Sequence, residues 1–208
     1  AAATWTGKLS MAVQPIREGD LIKAAWRGTN AIPSWSWYGC DGQEAVVEVY
    51  ARADQVVLSL NGEKVGQQEV VKNMARFQVP YPPGTITAEA FKEGKSMGTT
   101  SLKSASGAVR IRVLSEPKYS TDQVRYFRIE LTDADGVVWA NRDTQLTVTV
   151  EGGQLLGFGS AQPCTEECYQ SGTFTTYYGQ AQAIVKSDDG KAKLTVSGEG
   201  LTPVSVKL

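Results

Sequence analysis

Apolar and polar residues alternate one for one in segment after segment of this chain, and that period decides the fold class first. Val47, Val49 and Ala51 share one face, and Val56, Leu58 and Leu60 share another. Phe127, Ile129 and Leu131 do the same against Arg128, Glu130 and Thr132. The rhythm returns at Val109/Ile111/Val113, Leu146/Val148/Val150, Leu194/Val196 and Val204/Val206/Leu208. Successive side chains leave a pleated strand in opposite directions, so this spacing predicts strands with one buried and one wet face. No run favours the helical period. The 21 glycines and 8 prolines are spread over all 208 residues, leaving few windows long enough for a stable helix. The chain reads as all-β.

Turn chemistry divides the strands. Asn61-Gly62 follows Val56–Leu60 directly, and an Asn-Gly pair suits the positive φ angles of a tight hairpin. Lys92-Glu93-Gly94-Lys95, Asp133-Ala134-Asp135-Gly136 and Asp188-Asp189-Gly190-Lys191 punctuate later strand pairs in the same way. About seven strands fit in each half, and about 100 residues is the size of an immunoglobulin-like sandwich. The expectation is two tandem immunoglobulin-like β-sandwich domains, residues 1–105 and 106–208. They join at the small, polar stretch Ser104-Ala105-Ser106-Gly107-Ala108. Residues 1–44 are less regular and are expected to give one or two strands and a leading segment. A weak echo between 87–95 and 182–191 suggests one architecture used twice.

Composition removes whole classes of function. The net charge is −1, with no cluster of Lys and Arg. Nucleic-acid binding relies on such clusters to displace counterions from phosphates, so no nucleic-acid partner is expected. No apolar run approaches the roughly 18 residues that cross a bilayer, so no membrane partner is expected. The chain starts Ala1-Ala2-Ala3-Thr4 without Met, which reads as processing or excision from something longer. There is no histidine at all, which excludes Ser-His and Cys-His nucleophile pairs. Three cysteines, Cys40, Cys164 and Cys168, close neither a four-thiolate nor a mixed zinc site. No metal and no cofactor are expected.

Four aromatic residues are candidates for carbohydrate binding. Trp35 and Trp37 alternate in Pro33-Ser34-Trp35-Ser36-Trp37-Tyr38-Gly39, and a sugar ring stacks on flat aromatic faces. Interior packing is the commoner fate of such rings and is preferred here. Tyr177 and Tyr178 sit in Thr175-Thr176-Tyr177-Tyr178-Gly179, where strand alternation would let at most one point into a core. Cys164 and Cys168 fit either a small-loop disulfide or two reduced thiols. Between them Glu166 and Glu167 read as a solvated corner, because a catalytic carboxylate pair converges from separate segments. Asp133-Ala134-Asp135-Gly136 imitates the start of a calcium loop but lacks the later ligands and the helices, so it reads as a hairpin turn. Gly152–Gly159 lacks the Lys-Ser/Thr ending of a phosphate loop and reads as a bulge or a tight crossing.

The longer motifs carry a resemblance. Trp35-Ser36-Trp37, the hairpin Val47–Gly66 with its Asn61-Gly62 turn, and Phe77-Gln78-Val79-Pro80-Tyr81-Pro82-Pro83-Gly84 resemble the β-sandwich that follows the catalytic barrel in bacterial family 2 glycoside hydrolases, the β-galactosidase-like enzymes. Ile129–Gly136, Gly153-Gln154-Leu155-Leu156-Gly157-Phe158-Gly159-Ser160 and Ala181–Lys186 resemble the next immunoglobulin-like domain of the same enzymes. The resemblance runs from about residue 33 to the C-terminus. The chain departs from it after the glycine motif, where Ser160-Ala161-Gln162-Pro163 and two cysteines replace the usual Asn-Gly-Asp-Pro. The family's catalytic residues are two glutamates on a barrel of about 250 residues. None of that barrel is present, so no catalytic residue is assigned. The resemblance implies a non-catalytic accessory region that braces the catalytic barrel, its expected partner, and adds domain or subunit contacts. An apolar face at Trp35 or Trp37 would make that contact. Two other readings share the fold: a binding module stacking glycan on Trp35, Trp37, Tyr177 or Tyr178, and a repeat pair from a cell-surface adhesin.

Overall fold

A computed structural model describes residues 7–16, 28–121, 123–187 and 190–208. Asp188 and Asp189, part of one expected turn, lie outside the described residues, as do Ala1–Thr4. Among the described residues there is no helix. The chain divides into two compact units, Ala1–Ser104 and Ala105–Leu208.

The first unit holds β1 (Ser10–Val13), β2 (Glu44–Tyr50), β3 (Gln55–Leu60), β4 (Glu63–Glu69), β5 (Met74–Pro80), β6 (Thr85–Lys92) and β7 (Lys95–Lys103). These form two antiparallel sheets in the orders β1-β2-β5 and β4-β3-β6-β7. This is an immunoglobulin-like sandwich in which β4 has left the sheet of β5 to pair with β3. The faces the alternation marked turn inward, with Val47, Val49, Ala51, Val56, Leu58 and Leu60 all buried, and Phe77, Ile86 and Ala88 join them. The edge strands β4 and β7 are instead mostly exposed and polar. Each carries a register shift against its neighbour, and polar, irregular edges discourage pairing with another chain. The Asn61-Gly62 hairpin forms as expected, with φ of 51° and 89°. Glu93-Gly94 turns the next hairpin at φ of 51° and 74°.

The second unit holds β8 (Arg110–Ser115), β9 (Val124–Thr132), β10 (Gln145–Glu151), β11 (Gln154–Gly159), β12 (Thr173–Thr175), β13 (Gln180–Lys186), β14 (Lys193–Gly198) and β15 (Leu201–Lys207). Its sheets run β11-β13-β9-β8 and β12-β10-β14-β15. Phe127, Ile129 and Leu131 from one sheet meet Leu146, Val148, Leu194 and Val196 from the other in one buried cluster. A fully buried side chain of this kind contributes about 1.5–3 kcal/mol.

The turn at Asp133–Gly136 closes a short hairpin, with an antiparallel bridge between Thr132 and Val138. Trp139 N–H donates to the Leu131 carbonyl at 2.9 Å as the chain folds back. β9 and β10 on either side lie in different sheets, so the chain crosses between sheets after this short hairpin. β13 and β14 also lie in different sheets. The echo between 87–95 and 182–191 therefore joins a true hairpin, β6–β7, to a sheet-switching connection.

Candidate functional site

Trp35 and Trp37 are 0 % and 1 % exposed, so neither ring shows a face to solvent. Neither lies in a regular strand, and Ser36 between them is buried as well. What holds this segment is Tyr81, at the corner between β5 and β6. Its hydroxyl accepts the Trp37 N–H at 3.0 Å and lies 3.3 Å from the Trp35 carbonyl and 3.2 Å from Ser104 Oγ. Ser104 Oγ donates to the Trp35 carbonyl at 2.7 Å, and Trp35 Nε1 donates to the Pro82 carbonyl at 3.1 Å. The Trp35 and Tyr81 rings meet edge to face, 4.8 Å apart. A polar knot this deep exists because each buried donor and acceptor needs a partner. The Val-Pro-Tyr-Pro-Pro-Gly connection is thus a structural device.

A second buried polar group lies on β2. Glu48 accepts from Tyr50 Oη at 2.6 Å, Gln14 Nε2 at 2.9 Å and Thr29 Oγ1 at 3.1 Å. Burial and the bond to Glu48 push the Tyr50 phenol well above its ordinary pKa. Cys40 is buried, its thiol donating to the Ile16 carbonyl at 3.2 Å, and burial raises its pKa too.

The second unit offers the open site. On the outer face of β11-β13-β9-β8 lies a trough of about 600 Å³ lined by Tyr169, Tyr177, Arg128, Gln180, Gln182 and Ile184 among others. Its origin is the glycine motif. The pairing of β11 with β13 shifts between Leu155 and Gly157, a bulge of the kind the spaced glycines suggested. Phe158 then points into the core, while Gly157 and Gly159 on either side lack a side chain where the trough runs. The 160–171 loop closes along this edge: Phe158 N–H donates to the Tyr169 carbonyl at 2.7 Å. The Tyr169 ring lies where a Cβ on Gly159 would stand, stacked on Phe174 at 5.0 Å.

Glu167 anchors that loop, accepting from the Thr175 N–H at 2.9 Å and from Thr175 Oγ1 at 2.9 Å. It is a tether, whereas the spacing suggested only a solvated corner. Cys164 and Cys168 are exposed and not bonded to each other. Tyr177 lines the trough, and its ring lies 4.4 Å from that of Tyr178. Strand alternation does not reach them, because β12 ends at Thr175. A tight turn follows, with φ of 52° at Tyr178 and 69° at Gly179, closed by Tyr177 N–H to the Gln180 carbonyl at 2.9 Å. Both tyrosines are half-buried. Of the four aromatic candidates, only Tyr177 lines the trough. Tyr169, Arg128 and Gln182 escaped sequence reasoning because nothing local marks them.

The charges at the trough are balanced. Arg128 Nε lies 3.2 Å from Glu116 and 3.4 Å from Glu130, and Arg112 lies 3.9 Å from Glu130 on its other side. At the far turn, Asp133 Oδ1 accepts the N–H groups of Asp135 and Val137 at 2.9 Å each, and Oδ2 accepts that of Ser106 at 3.0 Å. This carboxylate caps a turn. Among the described residues no group of three His, Cys, Asp or Glu could hold a metal ion.

Comparison with known proteins follows the same division. Residues 114–207 match the glycoside hydrolase family 2 C-terminal domain 5, and residues 42–98 match a domain of unknown function, DUF4982. The chain is 26 % identical over its whole length to beta-galactosidase BoGH2A of Bacteroides ovatus, spanning 26 % of that protein. A glycosyl hydrolase family 2 member from Bacteroides cellulosilyticus superposes with a TM-score of 0.87 at 25 % identity, over all of this chain and 30 % of that one. A beta-glycosidase from Bacteroides vulgatus superposes at 0.74 with 25 % identity, over 99 % of this chain and 26 % of that one. The chain therefore spans between a quarter and a third of the length of these relatives. With both sandwiches accounted for and the second matched along nearly all its strands, the chain is similar over its whole length to the C-terminal region of glycoside hydrolase family 2 proteins.

Proposed function

We propose that this chain is the non-catalytic accessory region of a β-galactosidase-like glycosidase, bracing the catalytic barrel and adding domain or subunit contacts. The observation that carries this reading is coverage: the whole chain aligns with about a quarter of a much longer beta-galactosidase. Each sandwich has its own buried apolar core, and such bodies serve as rigid spacers and interface area. Because Trp35 and Trp37 are buried, the contact expected near them falls to Tyr38, which is 60 % exposed beside Trp37.

The test has two arms. The purified chain is assayed with a chromogenic galactoside, and no turnover above buffer is expected. The catalytic barrel of a family 2 galactosidase is then produced with and without this C-terminal region, and its melting temperature is expected to fall without it. Turnover by the chain alone, or an unchanged melting temperature, would overturn the proposal.

A further inference from the structure

We propose that the trough on the second unit binds a neutral glycan, one pyranose ring lying over Gly157 between the rings of Tyr169 and Tyr177. This goes beyond the accessory role and does not depend on it. A pyranose presents an apolar C–H face and a rim of hydroxyls, so its site needs flat aromatic surface beside planar groups that donate and accept. The trough has both. Tyr169 is 52 % exposed although stacked on Phe174, which holds its ring orientation from behind. Fixing the ring in advance reduces the entropy cost of stacking. Gln180 and Gln182 are alternate residues of β13, so their exposed amides leave the same face of the sheet. Arg128 is the direct cross-strand partner of Gln182, and Gly159 is the partner on the other side. One row of the sheet thus carries a guanidinium, an amide and, over Gly159, the ring of Tyr169.

Two further observations set the ligand class. Ser160 Oγ lines the trough and is buried with no hydrogen-bond partner, so it gives up no bond when its side chain turns toward a ligand. Arg128 is held by Glu116 and Glu130, which leaves no surplus positive charge to select an acidic sugar. The volume of about 600 Å³ falls within the range of small-molecule sites.

The test is calorimetric titration of the whole chain with β-1,4-linked oligomers of glucose, galactose, mannose and xylose, and with an oligogalacturonate as the acidic control. At least one neutral oligomer is expected to bind saturably, with Kd on the order of 1 mM or tighter. Gly157→Leu fills the trough at a position outside the left-handed region, where a Cβ meets nothing closer than the Tyr169 carbonyl at 3.8 Å. It is expected to weaken binding by roughly tenfold or more. Gln182→Ala, on the exposed face, is expected to weaken binding severalfold with an unchanged melting temperature, and it carries the test by itself if Gly157→Leu fails to fold. Absence of saturable binding by every neutral oligomer would overturn the proposal. So would binding indifferent to Gln182→Ala and, where it folds, to Gly157→Leu, or tighter binding of the oligogalacturonate. None of these outcomes bears on whether the chain braces a barrel.

Discussion

Tyr81 shows how one hydroxyl can hold a segment that has no secondary structure of its own. It takes the Trp37 N–H at 3.0 Å in the interior, where no water replaces it. Tyr81→Phe keeps the ring and leaves that donor unsatisfied, which costs about 1–3 kcal/mol. Urea unfolding is expected to show the loss, and an unchanged midpoint would mean the knot contributes nothing net. Tyr50 makes a different kind of claim, about pH. Its folded pKa lies above its ordinary 10.0, chiefly because the phenolate would be buried and then because Glu48 accepts its proton. The stability it supplies is therefore complete below pH 10 and declines as the pH rises past that value. Tyr50→Phe is expected to be less stable than the parent at pH 7, with the gap narrowing above pH 10. A gap that stays constant to pH 11 would remove the linkage.

At the scale of elements, the Asn61-Gly62 hairpin and the Pro82-Pro83-Gly84 connection are one device. Asn61 Oδ1 accepts the Thr85 N–H at 2.8 Å, and Asn61 Nδ2 donates to the Pro83 carbonyl at 3.2 Å. Gly84, at φ +126°, lies so close that an added Cβ would overlap the Asn61 amide. Gly84→Ala and Asn61→Ala are each expected to cost about 1–3 kcal/mol. Together they are expected to cost less than the sum, since removing the amide removes the overlap. Strict additivity in thermal unfolding would deny that the two positions touch. Period-two alternation made such strands legible, and the Asn-Gly pair located its hairpin. It could not say which sheet a strand joins, because that is decided by long-range packing: Asp133–Gly136 turns the chain back as Glu93-Gly94 does, but β10 beyond it joins the other sheet. The trough was less legible still. The glycine spacing pointed to a bulge, but the backbone bond from Phe158 to Tyr169 helps bring the tyrosine over Gly159. No local pattern encodes that bond.

For the whole molecule, the question is whether the two units are also two folding domains, and we propose that they are. The core of the second unit, from Ile111 to Val196, is drawn entirely from residues after Ala105. Ser104 is bonded to Trp35 and to the Gly84 N–H, while Ser106 N–H is bonded to Asp133. A cut between Ser104 and Ala105 leaves these three bonds in place. The two family matches, 42–98 and 114–207, also fall one in each unit, as expected of modules that are inherited separately. Bodies of about 100 residues with a closed core commonly unfold as single cooperative transitions. Residues 105–208 produced alone are thus expected to melt cooperatively and to give the dispersed amide spectrum of a folded sandwich. Residues 1–104 are expected to do the same, with the Tyr81→Phe loss confined to that half. A second unit that stays unfolded without the first would show that its stability is borrowed across the join, and the two sandwiches would then count as one domain.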